Sequence, residues 1–210
     1  MGTGRAVSLR KPLVIGLSGG IGAGKSHVAA IMKEAGCHIF DADAQVQILL
    51  DEPDTRDAVR ALFGAQSLDA NQCVDRRFFA QHVFESASDR ERLERLLHPK
   101  VIAAMQAAIT ETSCDTRAMV IDAPLLLETG LDQLCDAVIF IDAPLEQRAA
   151  RVTTERGWTQ SDLSLREAAQ LELDAKRERS HYVLVNAGSP EALRQQTQAL
   201  LDQLVPPSTP

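Results

Sequence analysis

Gly19-Gly20-Ile21-Gly22-Ala23-Gly24-Lys25-Ser26 matches the spacing G-x-x-x-x-G-K-[ST] at every required position. Each residue type has a task. Glycines let the backbone N–H groups turn inward around an anion, the lysine reaches terminal phosphates, and the serine hydroxyl can ligate Mg²⁺. A helix opening at Lys25 would add the positive end of its dipole. A chance match in a chain of this length is on the order of one in a hundred at average composition. The rival register, G-x-G-x-x-G, fails here: counted from Gly20 or Gly22, its last glycine falls on Lys25 or His27. The stretch reads as a cradle for nucleotide phosphates, with Gly20, Gly22, Ala23, Gly24, Lys25, Ser26 and His27 as candidate contacts and Ser26 as a metal ligand.

Phosphoryl transfer to a hydroxyl also needs a carboxylate at the acceptor oxygen and cations on the moving charge. Asp41-Ala42-Asp43 follows the apolar run His38-Ile39-Phe40, at the carboxyl end of a strand, where open α/β sheets bind ligands. If that bend stays extended, the two carboxylates share a face. Asp43 is the candidate base; Asp41 either caps the next helix or holds a metal-bound water. Asp122 ends another apolar run and can approach the metal through water, or cap the turn before Pro124. The cations come from Arg148, Arg151 and Arg156, followed by Lys176, Arg177 and Arg179. Their alternative is a solvated helix face paired with Glu146, Glu155 and Glu178. No guanine-reading Asn-Lys-x-Asp is present, which argues against a GTPase switch.

The elements that must position these residues alternate in period. Apolar runs at 13–17, 38–40, 118–122, 137–142 and 182–185 read as strands, the first buried on both faces. Helices are expected from Lys25 to about Ala35, from about Leu145, from about Asp162 to Ser180 after a polar turn, and from Ser189-Pro190 onward. Residues 43–115 are charged and helical in texture. There Ser88-Asp89-Arg90-Glu91 has the capping-box spacing, and Pro99 is expected to break or kink a helix. Strands alternating with helices predict an α/β fold: a parallel five-stranded sheet covered on both faces, with a helical insert.

Composition bounds the partners. With 210 residues and 45% hydrophobic content, the chain can bury one substantial α/β core. Lys and Arg number 22 against 29 Asp and Glu, a net charge of −7, which disfavours nucleic acid or an anionic membrane surface as partner. The 4 cysteines (Cys37, Cys73, Cys114, Cys135) and 5 histidines (His27, His38, His82, His98, His181) form no C-x-x-C or H-E-x-x-H pattern. They suggest a reduced, cytoplasmic protein. No stretch approaches the roughly 20 apolar residues of a membrane span, and no obligate protein partner is evident.

The separated motifs together resemble the dephospho-CoA kinase family. They are Leu17 to Ser26, Asp41-Ala42-Asp43, Leu97-His98-Pro99, Pro124-Leu125-Leu126-Leu127-Glu128, Lys176 with Arg179, and Asn186-Ala187-Gly188, spread between Val14 and about Leu204. The resemblance implies a P-loop kinase core with a helical substrate domain and a mobile lid. It implies transfer of the ATP γ-phosphate to the ribose 3′-hydroxyl of dephospho-CoA, with Mg²⁺. Asp43 then corresponds to the base, Gly22 to His27 to the nucleotide loop, and Asn186 and Gly188 to a loop near adenine. Asp41 and His98 are expected on the substrate side, His98 being otherwise a structural residue before a proline. The expected layout is a flexible N-terminus at 1–11, a P-loop kinase domain at 12–205 and a flexible tail at 206–210. Within the domain the core spans 12–43 and 117–205, the insert 44–116 and the lid about 148–180.

Four positions depart from the family pattern. His27 replaces a threonine, leaving its backbone N–H to serve, and Gln47 replaces an arginine. Glu155-Arg156 shifts the lid arginine by one, so Arg156 is the expected transition-state partner and Arg151 the reserve. His181 replaces an aspartate. The alternative functions are a P-loop kinase for another nucleotide or small metabolite, and an ATP-binding regulatory module without turnover.

Overall fold

The computed structural model describes residues 11–75, 77–79, 86–113 and 116–206. Arg5, Arg10, His82, Cys114 and the tail from Pro207 lie outside the described residues. Five strands form one sheet in the order β2-β3-β1-β4-β5. They are β1 (Val14–Gly19), β2 (His38–Asp41), β3 (Met119–Asp122), β4 (Ala137–Asp142) and β5 (Tyr182–Val185). β1 runs parallel to β3 with Leu17 opposite Asp122, and parallel to β4 with Gly19 opposite Ile141; β4 pairs parallel with β5. Central β1 is buried at every residue, the cause of its unbroken apolar run, whereas edge strand β5 leaves Val183 and Val185 exposed. The chain leaves β1 for neighbours on both sides, so the strand order reverses where β1 ends in the glycine-rich loop.

The chain divides into two compact units: Met1–Phe40 with Ala108–Pro210, and Asp41–Ala107. In the first, the core gathers Ile15, Leu17, Ile139, Ile141 and Leu184 from the sheet. Val28, Ile31 and Met32 of α1 (Lys25–Glu34) and Leu193 and Leu201 of α8 (Pro190–Leu204) pack on them. Ser189 caps α8 by accepting from the Ala192 N–H, as its position before Pro190 predicts. His181, a departure from the family pattern, is structural: its N–H donates to the Val138 carbonyl and its Nδ1 accepts from the Val138 N–H at 2.9 Å. Cys37, Cys73 and Cys135 are free thiols, and burial pushes the Cys135 thiol up to about 12, which disfavours its thiolate.

The second unit is built from α2 (Ala42–Asp51), α3 (Pro53–Phe63) and α4 (Ala87–Glu111), whose last turn lies beyond Ala107. Val59, Phe63, Val74 and Phe79 form its core, with the Phe63 and Phe79 rings edge to face at 5.1 Å. Pro99 does not end a helix. α4 passes through it, because a proline removes one N–H and the helix on either side carries enough further bonds. The cap of α4 also differs from expectation: Ser86, two residues before Ser88, accepts from the Asp89 N–H. Ser86→Ala is therefore expected to cost about 1 kcal/mol and Ser88→Ala no more than about 0.5, as read from thermal melts.

Between β4 and β5, α5 (Leu145–Arg156) ends on left-handed Gly157, and α6 (Gln160–Glu167) begins behind a Thr159–Asp162 capping box. The single charged helix expected from 162 to 180 is interrupted after Glu167 and resumes as α7 (Leu173–Glu178). The interruption is tertiary in origin. Glu128 accepts from the Leu171 N–H at 3.1 Å and pairs with Lys176 Nζ at 2.7 Å, pulling the chain out of helical register.

Candidate active site

The loop between β1 and α1 is built from left-handed glycines and braced from behind. Gly22 and Gly24 have φ of 74° and 95°, and Gly24 is the N-cap of α1, with no side-chain cap bond. A Cβ on Gly24 would come within 2.4 Å of Asn186 Nδ2, so both the turn and the packing require glycine here. The Asn186 amide donates to the Ala23 carbonyl at 2.8 Å. Arg151 Nη1 donates to the carbonyls of Gly22 (3.0 Å) and Ala23 (3.3 Å), and its Nη2 donates to Gln147 Oε1 and the Asn186 carbonyl. Buried Arg148 donates to the carbonyls of Ile21 and Ala143 and pairs with Glu167.

These contacts revise several expectations. Arg151, the reserve transition-state arginine, spends its guanidinium on loop carbonyls. Asn186 spends its side-chain amide on Ala23, behind the loop instead of toward a base; neighbouring Gly188 is exposed, with its preceding Ala187 carbonyl accepting from Gln147. The His27 N–H donates to the Gly24 carbonyl at 3.1 Å, so it closes the first turn of α1. The ion pairs of the arginine-dense segment run to Glu167, Asp142, Asp132 and Glu128, not to Glu146, Glu155 or Glu178.

Lys25 is half-buried at the mouth of the loop, and its Nζ donates to the Gly19 carbonyl at 3.2 Å. Burial lowers its pKa to about 8; Lys176 and Arg156 push the same way, while Asp122 and Glu128 oppose them. Lys25, Asp122, Arg156, Lys176 and Glu128 thus share one electrostatic neighbourhood. Arg156 lies over the ring of Trp158, the one tryptophan of the sequence, at 4.9 Å, with Arg166 over the same ring at 4.1 Å. Ser26 is exposed in the first turn of α1.

The remaining candidates belong to the second unit. Asp41 is the N-cap of α2, its Oδ1 accepting from the Ala44 N–H at 2.9 Å. Asp43 is exposed in the first turn of that helix. The bend is therefore not extended past Asp41, and the two carboxylates do not share a face by strand alternation. His98 Nε2 and Gln47 Oε1 are buried atoms without a hydrogen-bond partner among the described residues. Sequence reasoning listed Arg148 only as one candidate cation among several, without its role behind the loop, and missed Glu167 altogether. The one available signal was the three-residue spacing of Arg148 and Arg151, which puts both on one helix face beside Val152.

A parallel sheet with a glycine-lysine-serine loop at the reversal of strand order defines a P-loop kinase fold, and solved structures share it. Shikimate kinase from Acinetobacter baumannii superposes with a TM-score of 0.54 at 17% identity, covering 93% of this chain and 94% of its own. A protein from Thermus thermophilus, TT1252, superposes with a TM-score of 0.81 at 30% identity over 93% of this chain and 100% of its own. The family model for dephospho-CoA kinase matches residues 13–191. A dephospho-CoA kinase of Deinococcus radiodurans is 38% identical over 92% of this chain and 93% of its own, and one of Corynebacterium diphtheriae 34% identical over 86% and 91%. The chain belongs to the dephospho-CoA kinase family.

Proposed function

We propose a division of labour among these residues for the reaction of the family, in which ATP phosphorylates dephospho-CoA to give CoA and ADP. Gly20, Gly22, Gly24, Lys25 and Ser26 bind the nucleotide phosphates through backbone N–H groups, with Lys25 also neutralising the terminal phosphates. Ala23 and His27, whose N–H groups donate to the Gly20 and Gly24 carbonyls, shape the loop. Asp43 orients the ribose 3′-hydroxyl and takes its proton. Arg156 reaches the transferring group from its place over Trp158, and the commitment of Arg151 to the loop carbonyls supports Arg156 over Arg151. Asn186 and Arg151 serve the nucleotide indirectly, by holding the loop, and exposed Gly188 is assigned to the adenine side. Asp41 and His98 are assigned to the acceptor side, the unpartnered Nε2 of His98 being the feature that suggests a ligand contact.

A magnesium ion fits the residues at the loop. Mg²⁺ takes one or two protein oxygens beside waters and phosphates. The Ser26 hydroxyl and, through water, the Asp122 carboxylate next to Lys25 offer that set. The ion would neutralise charge on the β- and γ-phosphates. No described helix is long and apolar enough to cross a membrane. We assign the enzyme to the cytoplasm, with small molecules as its partners.

The observation that carries the reading is the match of one family model over residues 13–191, which include both the phosphate loop and Asp43. Its test is coupled ADP release with dephospho-CoA, AMP, CMP or shikimate as acceptor. Turnover is expected with dephospho-CoA alone. Preference for another acceptor, or slow hydrolysis indifferent to all four, would overturn it.

A further inference from the structure

We propose that Glu167, held by Arg148, is a positioning residue that fixes residue 21 of the phosphate loop from α6. Its Oε1 accepts from the Ile21 N–H at 3.3 Å, and the paired Arg148 donates from Nη1 to the Ile21 carbonyl at 3.3 Å. The two members of one ion pair thus hold the N–H and the C=O of the same residue. Arg148 cannot drift: its guanidinium is buried, and its Nε donates to the Ala143 carbonyl at 3.2 Å, just past β4. Packing leaves no slack either. A Cβ on Gly20 would meet Arg148 Nη1 at 2.9 Å and Glu167 Oε1 at 3.1 Å, so the pair sits directly against residue 20.

Two duties of Glu167 follow, and they are separable. Its charge compensates a buried arginine, which matters for folding. Its oxygen sets where the Ile21 peptide lies, which matters for the phosphates, because an ångström of misplacement in a reacting assembly costs on the order of 10²-fold in rate. A pair that served stability alone would be replaceable by apolar side chains of similar volume, since such replacements of buried ion pairs are often neutral or stabilising. A pair that positions the loop would not.

The inference rests on the loop being the ATP site, and its test reads ATP directly, so it is independent of which acceptor is phosphorylated. Dissociation constants for ATP and for dephospho-CoA would be measured by equilibrium dialysis beside Tm. The variants are Glu167→Gln, Glu167→Leu and the double variant Arg148→Met/Glu167→Leu. Glu167→Gln keeps an acceptor for the Ile21 N–H: it is expected to melt earlier yet bind ATP like the wild type. Glu167→Leu is expected to melt earlier and to bind ATP on the order of tenfold more weakly, one favourable contact's worth. The double variant should regain the Tm and keep the weak ATP binding, with dephospho-CoA binding unchanged in all three. ATP affinity that follows Tm through the series would overturn the proposal. So would weakened ATP binding in Glu167→Gln, which decides the matter even if both leucine variants fail to fold.

Discussion

Asp43→Asn is expected to lower kcat by about 10²–10⁴, the usual loss on removing a general base, while the KM for ATP stays as in the wild type. The amide keeps the shape of the side chain and loses only its basicity. Asp43 lies in the first turn of α2, behind the cap that Asp41 provides. A carboxylate there also gains about 0.3–1 kcal/mol from the helix dipole, so the variant should lose a little stability. The loss works against the variant's Tm and not against its chemistry, and the two are read separately. Near-normal turnover in Asp43→Asn would remove the assignment of the base.

The second large effect belongs to Lys25. Removing one preorganised cation from a developing charge costs on the order of 10²–10³ in kcat, and Lys25→Met is expected to show that loss. Its dependence on pH has a definite sign. Burial holds the Lys25 pKa near 8, below its ordinary 10.5, so the amine of the unliganded protein loses its charge as pH rises through 8. ATP binding should therefore weaken from pH 7 to 9 in the wild type and stay flat in the variant. Stability runs the other way. Below pH 8 both folded and unfolded chains hold the proton, and the folded state bears the full desolvation cost. Between about 8 and 10.5 only the unfolded chain still holds it, so the wild type gains stability with rising pH. The Tm of Lys25→Met relative to the wild type should thus be highest at neutral pH and shrink across that interval. Bound phosphates restore the charge, since a nearby anion favours the ammonium form. Proton uptake on ATP binding at pH 8.5, seen by calorimetry in buffers of different ionisation heat, would check that step.

What could be read ahead of the structure followed from how directly a residue type reports its own constraint. Glycines with left-handed backbone announce themselves, as do buried strands such as Val14–Gly19, and Ser189 before Pro190 marked a helix start correctly. Contacts whose partner is a backbone carbonyl carry no such mark. Nothing in the types of Arg151 and Asn186 says that they reach the carbonyls of Gly22 and Ala23. The break after Glu167 was illegible for a related reason: it is caused by Glu128, some forty residues earlier, taking the Leu171 N–H. Ser88-Asp89-Arg90-Glu91 has the capping-box spacing, yet Ser86 is the serine that takes the Asp89 N–H, because the helix starts at Ala87. Asp41 and Asp43 failed as a strand pair because the helix starts one residue after β2 ends.

The carbonyls held behind the phosphate loop have a consequence for its front. A trans peptide group is planar, and its C=O and N–H point in opposite directions. Fastening the Ile21 carbonyl to Arg148 and the Ala23 carbonyl to Asn186 and Arg151 therefore aims the N–H groups of Gly22 and Gly24 the other way. The arginines also polarise those amides, drawing electron density backward and leaving the hydrogens more positive. The protein carries a net charge of −7, and the loop can still turn N–H donors forward, because the side chains that hold it bond its carbonyls from the far side. Those side chains need never touch an anion at the front of the loop to shape the place that would receive it.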